Sequence, residues 1–246
     1  MVGGDAAKEA VALAHRLPGL RVGLHLVLVD GTPTLAPERI PDLVDGRGRL
    51  RKDLTRTGVD IFLRPGVRAQ LGAEIEAQFA AFRATGLKLD HVNAHHHFHL
   101  HPAVCSKVLD VGRRYGMAAL RVPREPSGIV RSDHSAGRPG RSDSVTPWVA
   151  LLDKRCRRRG LTVADQVFGL AWSGAMTEER ITQLLQVLPD GLTEIYCHPA
   201  TSGAFLGAAA GYRYADELAA LTSAAARILA SSRDIRVGGY ADFART

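Results

Sequence analysis

Adjacent aspartates occur nowhere in this chain, cysteine is scarce, and no apolar stretch is long. Cys105, Cys156 and Cys197 stand far apart with no C-x-x-C spacing, which argues against a disulfide framework and against a structural zinc site. Cys197 lies beside His198, a pairing that suggests a thiol nucleophile, but its apolar strand context favours a buried, inert thiol. Nothing approaches the about 18 uninterrupted apolar residues of a membrane span, and the N-terminus lacks the basic-then-apolar layout of a signal peptide. A cytoplasmic location is therefore expected for the chain as written.

Aromatic residues are only 6% of the sequence and do not interleave with the basic ones, so the platform for base stacking is missing. The formal net charge of +7 is then weak support for a nucleic-acid partner. Much of the excess falls in Arg138, Arg141, Lys154, Arg155, Arg157, Arg158 and Arg159. It reads as a solvated helix end or as attraction to an anionic membrane surface. Ordinary hydrophobic content over 246 residues suits one α/β domain with a sizeable core.

What the chain does have is histidine, and most of it in one place. Residues 91–102, His-Val-Asn-Ala-His-His-His-Phe-His-Leu-His-Pro, hold six of the ten histidines. Alternation from Leu87 to Val92 and the helix-opening Pro102 predict a strand running into a βα loop. Were the chain extended there, His95, His97 and His99 would share one face, and His96 and Phe98 the other. Imidazoles converging from one strand suit a divalent metal; a histidine-rich surface loop and a polar core are the blander alternatives. A second run, Leu20 to Val29, is nearly all apolar and interrupted by a lone His25, as in a strand covered on both faces. Thr193 to Pro199 is a third predicted strand, ending in His198-Pro199. Three strands thus deliver histidines near their C-terminal ends, where α/β folds place their sites.

The rest of the pattern alternates helix and strand, which predicts a mostly parallel sheet. Asp5 to Leu17 reads as a helix capped by Asp5 with a stripe of Ala6, Ala10, Val11, Leu13, Ala14 and Leu17. Residues 30–65 read as a long irregular, substrate-facing excursion. Val67 to Thr85 is an amphipathic helix with Leu71, Ile75, Phe79 and Phe82 on its core face, closed by Gly86. Further helices are expected over Pro102–Tyr115, Trp148–Arg159, Thr177–Leu188 and Ala215–Ser231. Strands are expected over Ala118–Val122, Asp165–Leu170 and Ile235–Val237, and a second long loop over Pro123–Thr146.

Gly23-Leu24-His25-Leu26, the His91–Pro102 run and Cys197-His198-Pro199-Ala200 together resemble, collinearly, three motifs of the YdjC-like carbohydrate deacetylases. Leu89-Asp90-His91-Val92-Asn93-Ala94-His95 and Val167-Phe168-Gly169-Leu170-Ala171-Trp172-Ser173-Gly174 look closer still to the hopanoid-biosynthesis-associated HpnK branch. The resemblance implies a single domain over 1–246 with an irregular, incomplete β/α barrel. It implies His25 and His95 as metal ligands for magnesium or zinc, and His198 as the catalytic group that protonates the leaving amine. Asn93, His97, His99 and Arg121 would support the ligands or touch the sugar. Relatives in the chitooligosaccharide branch carry Asp where Asn93 stands, so an anionic partner becomes a neutral amide. Arg121 would meet substrate or a site carboxylate; a surface ion pair is the other reading.

That family also opens with a strand bearing Asp-Asp-Phe-Gly, which supplies its catalytic base and a third metal ligand. Met1-Val2-Gly3-Gly4 resembles the tail of its second strand, so the chain is expected to lack the first strand and to be prone to pair through the bared edge as a homodimer. The functional expectation is removal of an N-acetyl group from an amino sugar, either lipid-linked in hopanoid synthesis or an oligosaccharide. The alternatives are a truncated relative that only binds metal or sugar and, more distantly, a basic nucleic-acid-binding protein.

Overall fold

The computed structural model describes residues 1–126, 142–205, 207–232 and 235–244; the side chains of 142–146 and 232 are not among them. The chain forms two compact units, one of Met1–Arg121, Cys156–Thr162 and Gly239–Thr246, the other of Val122–Arg155 and Val163–Gly238.

In the first unit, β1 (Val22–Leu26) pairs in parallel with β2 (Leu89–Ala94), with His25 opposite Asn93 and Leu26 opposite Ala94. Parallel bridges Val92–Leu120 and Ala119–Thr162 continue the ladder, so the expected strand at 118–122 is present only as single bridges. Leu24, Leu26, Val92 and Leu120 are essentially inaccessible, as parallel pairing under helical cover requires. That cover includes α3 (Pro65–Ala84), which packs on β1 and on α4 (Pro102–Arg114). Its Leu71, Ile75, Phe79 and Phe82 are buried as the spacing predicts, and Gly86 leaves the helix at φ +73°.

Two polar residues on the buried face of α3 carry more structure than their spacing announces. Gln78 accepts from the Val27 N–H at 3.0 Å and donates to the Val27 carbonyl at 2.6 Å and to Glu74 at 2.8 Å. Glu74 in turn accepts from the N–H groups of Thr34 and Leu35 at 2.8 and 3.0 Å. Backbone donors that have left the sheet after β1 are thereby satisfied in the core, where each unpaired group would cost about 1–3 kcal/mol.

Several expectations for this unit are corrected. The first helix, α1 (Ala7–Arg16), starts after Ala6, and no side chain caps it; Asp5 lies too early. Of its anticipated stripe only Ala14 is buried, while Leu13 and Leu17 are about half exposed. The stretch 30–65 is not wholly irregular: it contains α2 (Leu54–Leu63), N-capped by Asp53 accepting from Arg56 N–H at 2.9 Å. Residues 235–239 form no strand. Instead the 3-10 turn Tyr240–Asp242 is tied to β2, with the N–H groups of Tyr240 and Ala241 donating to Asp90 at 3.1 and 3.0 Å.

The second unit holds α5 (Ser142–Arg158, whose last three residues belong to the first), β3 (Gln166–Phe168), α6 (Glu178–Gln186), β4 (Thr193–Ile195), α7 (Tyr214–Thr222) and α8 (Ala224–Ser232). β3 and β4 are parallel, with Phe168 opposite Ile195. Phe168, Trp172, Met176, Ile181, Leu184 and Ala220 make the core. The single helix expected over Ala215–Ser231 is two, because Ser223 adopts extended backbone (φ −67°, ψ 147°) and its hydroxyl accepts from Ala226 N–H at 3.1 Å. A serine that satisfies the next helix's orphan donor breaks the run where apolar periodicity alone does not. The second expected loop is shorter than Pro123–Thr146, since α5 begins at Ser142. Its residues 127–141, with Arg138 and Arg141, lie outside the described residues.

A candidate metal centre at the end of the paired histidine strands

His25 occupies the end of β1, partly buried. Its Nδ1 stands 2.6 Å from Asn93 Oδ1. An amide oxygen only accepts, so the imidazole proton is assigned to Nδ1, and Nε2 keeps its lone pair. Burial drives the His25 pKa down to about 3, against the opposing pull of the Asn93 hydrogen bond. A neutral ring with a fixed tautomer is the form that binds a divalent cation.

Asn93 is itself oriented from behind. Its Nδ2 lies 3.4 Å from His91 Nε2, and His91 Nδ1 donates to the buried carboxylate of Asp90 at 2.9 Å. Proton positions along Asp90, His91, Asn93 and His25 are mutually consistent, each donor meeting an acceptor. Glycine at position 23 makes room for this line: a Cβ there would fall 2.6–2.8 Å from the atoms of the His91 ring. The anchor, Asp90, is the residue that also receives the 240–241 backbone.

Beyond Ala94 the chain does not stay extended. Residues His95–Leu100 form a 3-10 turn in which His96 (φ 52°, ψ 20°) and His97 (φ 51°, ψ 30°) take left-handed backbone. The expectation that His95, His97 and His99 share one face is thereby overturned, since the period-2 rule ends with the strand. His99 is fully buried, and its Nε2 donates to the Arg121 carbonyl at 2.8 Å, which anchors the ring in the core. The ring of His97 lies 6.3 Å from that of His99. Arg121 is buried rather than on the surface.

The turn brings a different set together. His95 sits edge-on to His25 with ring centroids 5.8 Å apart, and 4.0 Å from the ring of His96. Asp30, four residues beyond β1, offers a carboxylate oxygen; one ligand atom each from Asp30, His95 and His96 lie within 4.8 Å of one another. Ligand atoms about 2.1 Å from one ion stand roughly 3–4 Å apart, so the spread is within reach of a shared cation, and two imidazoles with one carboxylate suit zinc, iron or a similar divalent ion. Sequence reasoning singled out His25 and His95, passed over Asp30 and placed His96 on the opposite face. The available signal was an aspartate closing an apolar run, Val27-Leu28-Val29-Asp30-Gly31.

His198 belongs to the second unit, three residues past β4. Its backbone N–H donates to Glu217, a fully buried carboxylate that also accepts from Met176 N–H at 2.9 Å. The His198 ring contacts Tyr196 and Tyr212 at 5.7 and 5.1 Å between centroids, and the Tyr212 hydroxyl meets Ser173 Oγ at 2.9 Å. Neighbouring Cys197 has its pKa pushed up to about 12 by burial and, secondarily, by Glu217. That thiol is therefore no nucleophile at neutral pH. No helix among the described residues is long and apolar enough to cross a membrane.

Known proteins are similar to this chain. A carbohydrate deacetylase of Brevibacillus brevis is 41% identical over 115 residues, covering 47% of this chain and 43% of the relative. Another, from Geobacillus stearothermophilus, is 30% identical over 242 residues, covering 97% of this chain and 82% of the relative. A crystal structure of the EF3048 protein of Enterococcus faecalis V583 superposes with a TM-score of 0.74 at 25% identity, over 100% of this chain and 86% of that one. The family described as YdjC-like protein matches residues 1–231, and this chain belongs to it.

Proposed function

We propose that the protein is a metal-dependent hydrolase that removes the N-acetyl group of an amino sugar. The observation that carries this reading is the His25 ring, held neutral with its proton on the Asn93 side and its other nitrogen available beside His95. His25 and His95 would hold the ion. A divalent ion there, magnesium or zinc, supplies Lewis acidity toward the acetyl carbonyl and toward water. Hydrolysis adds water across the carbonyl carbon and breaks its bond to nitrogen, leaving acetate and an amine that needs a proton. His198 is assigned that proton transfer. Asn93 acts through His25 as a positioning residue, His97 and Arg121 are candidates for sugar contact, and His99 braces the turn from the core. Relatives named carbohydrate deacetylases support the substrate class.

The finer reading places the substrate on a lipid, in the hopanoid branch, with a cytoplasmic protein working at the membrane surface and pairing as a homodimer. The 1–231 family match supports reading the chain as one domain, and the parallel pairing inside each unit is the kind an irregular, incomplete β/α barrel uses. A binding-only chain, retaining metal or sugar without turnover, is the second reading. Acetate release from N-acetylglucosamine oligomers, measured before and after chelation, separates the two. Chelator-sensitive release supports the hydrolase; metal binding without release over days supports the second reading.

A further inference from the structure

We infer that Asp30 and His96 are ligands of the cation held at His95, so that the loop after β1 contributes a carboxylate to this site. The inference rests on the proposal above that a divalent ion binds at His95, and it goes beyond the His25–His95 pair.

Geometry carries it. His96 Nε2 and Asp30 Oδ2 are 3.7 Å apart, too long for a hydrogen bond but the spacing of two neighbouring ligands on one ion. The three non-glycine residues with positive φ among the described residues are Asp30 (45°), His96 (52°) and His97 (51°). They come from loops about 65 positions apart in sequence, yet two of them meet at this point. Left-handed backbone is costly for histidine and persists where surrounding structure over-determines it. On the Asp30 side that structure is evident. Asp30 N–H donates to the Arg51 carbonyl at 2.9 Å, Leu50 N–H to the Gly31 carbonyl at 2.9 Å, and Gln78 and Glu74 of α3 grip the chain on both sides of it. A loop serving only as a connection has no call for this much bracing. Lys52 Nζ approaches Asp30 Oδ1 at 3.5 Å, but its side chain is 77% exposed, and an exposed lysine pair holds a carboxylate only weakly.

The test is Zn²⁺ titration of the full chain after chelator dialysis, by competition with a chromophoric chelator, alongside Co²⁺ absorption spectra. Asp30→Asn and His96→Asn are the informative variants, because asparagine tolerates left-handed backbone and keeps the loop shape. Each is expected to weaken Zn²⁺ binding by about 10-fold or more and to change the Co²⁺ spectrum, with far-ultraviolet circular dichroism unaltered. Lys52→Ala serves as the control and should leave the affinity unchanged or tightened. Wild-type affinity and spectrum in both Asp30→Asn and His96→Asn, with loss in His95→Asn, would overturn the inference and leave the hydrolase proposal standing. Absence of Zn²⁺ and Co²⁺ binding by the wild-type chain would sink both together.

Discussion

Two of the three histidine-bearing strand ends of this protein, those of β1 and β4, are built on opposite plans. At the end of β1, side chains hold a side chain: Asp90, His91 and Asn93 pass a hydrogen-bond polarity forward to the His25 ring. Past β4 a side chain holds the backbone, with Glu217 accepting the His198 N–H while the ring packs between Tyr196 and Tyr212. The first plan specifies which imidazole nitrogen carries the proton. The second sets where the ring is, through its backbone and its aromatic neighbours. A metal ligand needs the former.

The harshest way to probe this contrast is to remove the rings. His25→Ala and His95→Ala should each abolish acetate release and cut metal content measured on the dialysed protein, whereas His198→Ala should lower kcat with metal content intact. Equal metal loss in all three would erase the distinction. Next in size is Glu217→Ala, which leaves the N–H groups of Met176 and His198 without their acceptor in the core; urea unfolding should show a loss of about 2–4 kcal/mol. Asn93→Leu should destabilise far less and act on the metal, weakening it by about 10–100-fold. Asn93→Asp should instead raise the His25 pKa, because a carboxylate beside the ring favours the imidazolium; the acid limb of the activity–pH profile then moves to higher pH.

Smaller again is the pH dependence of stability. The His25 pKa lies near 3 in the folded protein, below its ordinary 6.5. Between those values the unfolded chain binds the extra proton, so His25 contributes stability that is full above about pH 6.5 and is lost as pH falls toward 3, with a slope of at most about 1.4 kcal/mol per unit. Urea midpoints for wild type and His25→Leu should converge on acidification through that window. The smallest expected signal is at Cys197, whose elevated pKa predicts negligible labelling by iodoacetamide at pH 7.5 in the folded protein.

Much of the layout is legible in the residues because it follows local periodicity. The 3.6-residue spacing of Leu71, Ile75, Phe79 and Phe82 and the apolar run around His25 correspond to α3 and β1. Helix α2 is not legible because its buried side is Thr57, Gly58 and Ile61, while the apolar Val59, Phe62 and Leu63 stay exposed. The break at Ser223 was missed because a cap overrode periodicity that ran through it. At the site, the strand ends at Ala94, and two residues later His96 and His97 turn left-handed.

The sequence by itself determined family membership, the parallel α/β character and the concentration of imidazole at strand ends, all of which reside in short contiguous motifs. Tertiary structure alone decided which histidines converge, that His99 is a core residue, that Asp90 orients His25 through two intervening side chains, and that Asp30 stands opposite His96. These are relations between groups far apart along the chain. They depend on backbone turns and on hydrogen-bond partners brought in by folding, which no local pattern encodes.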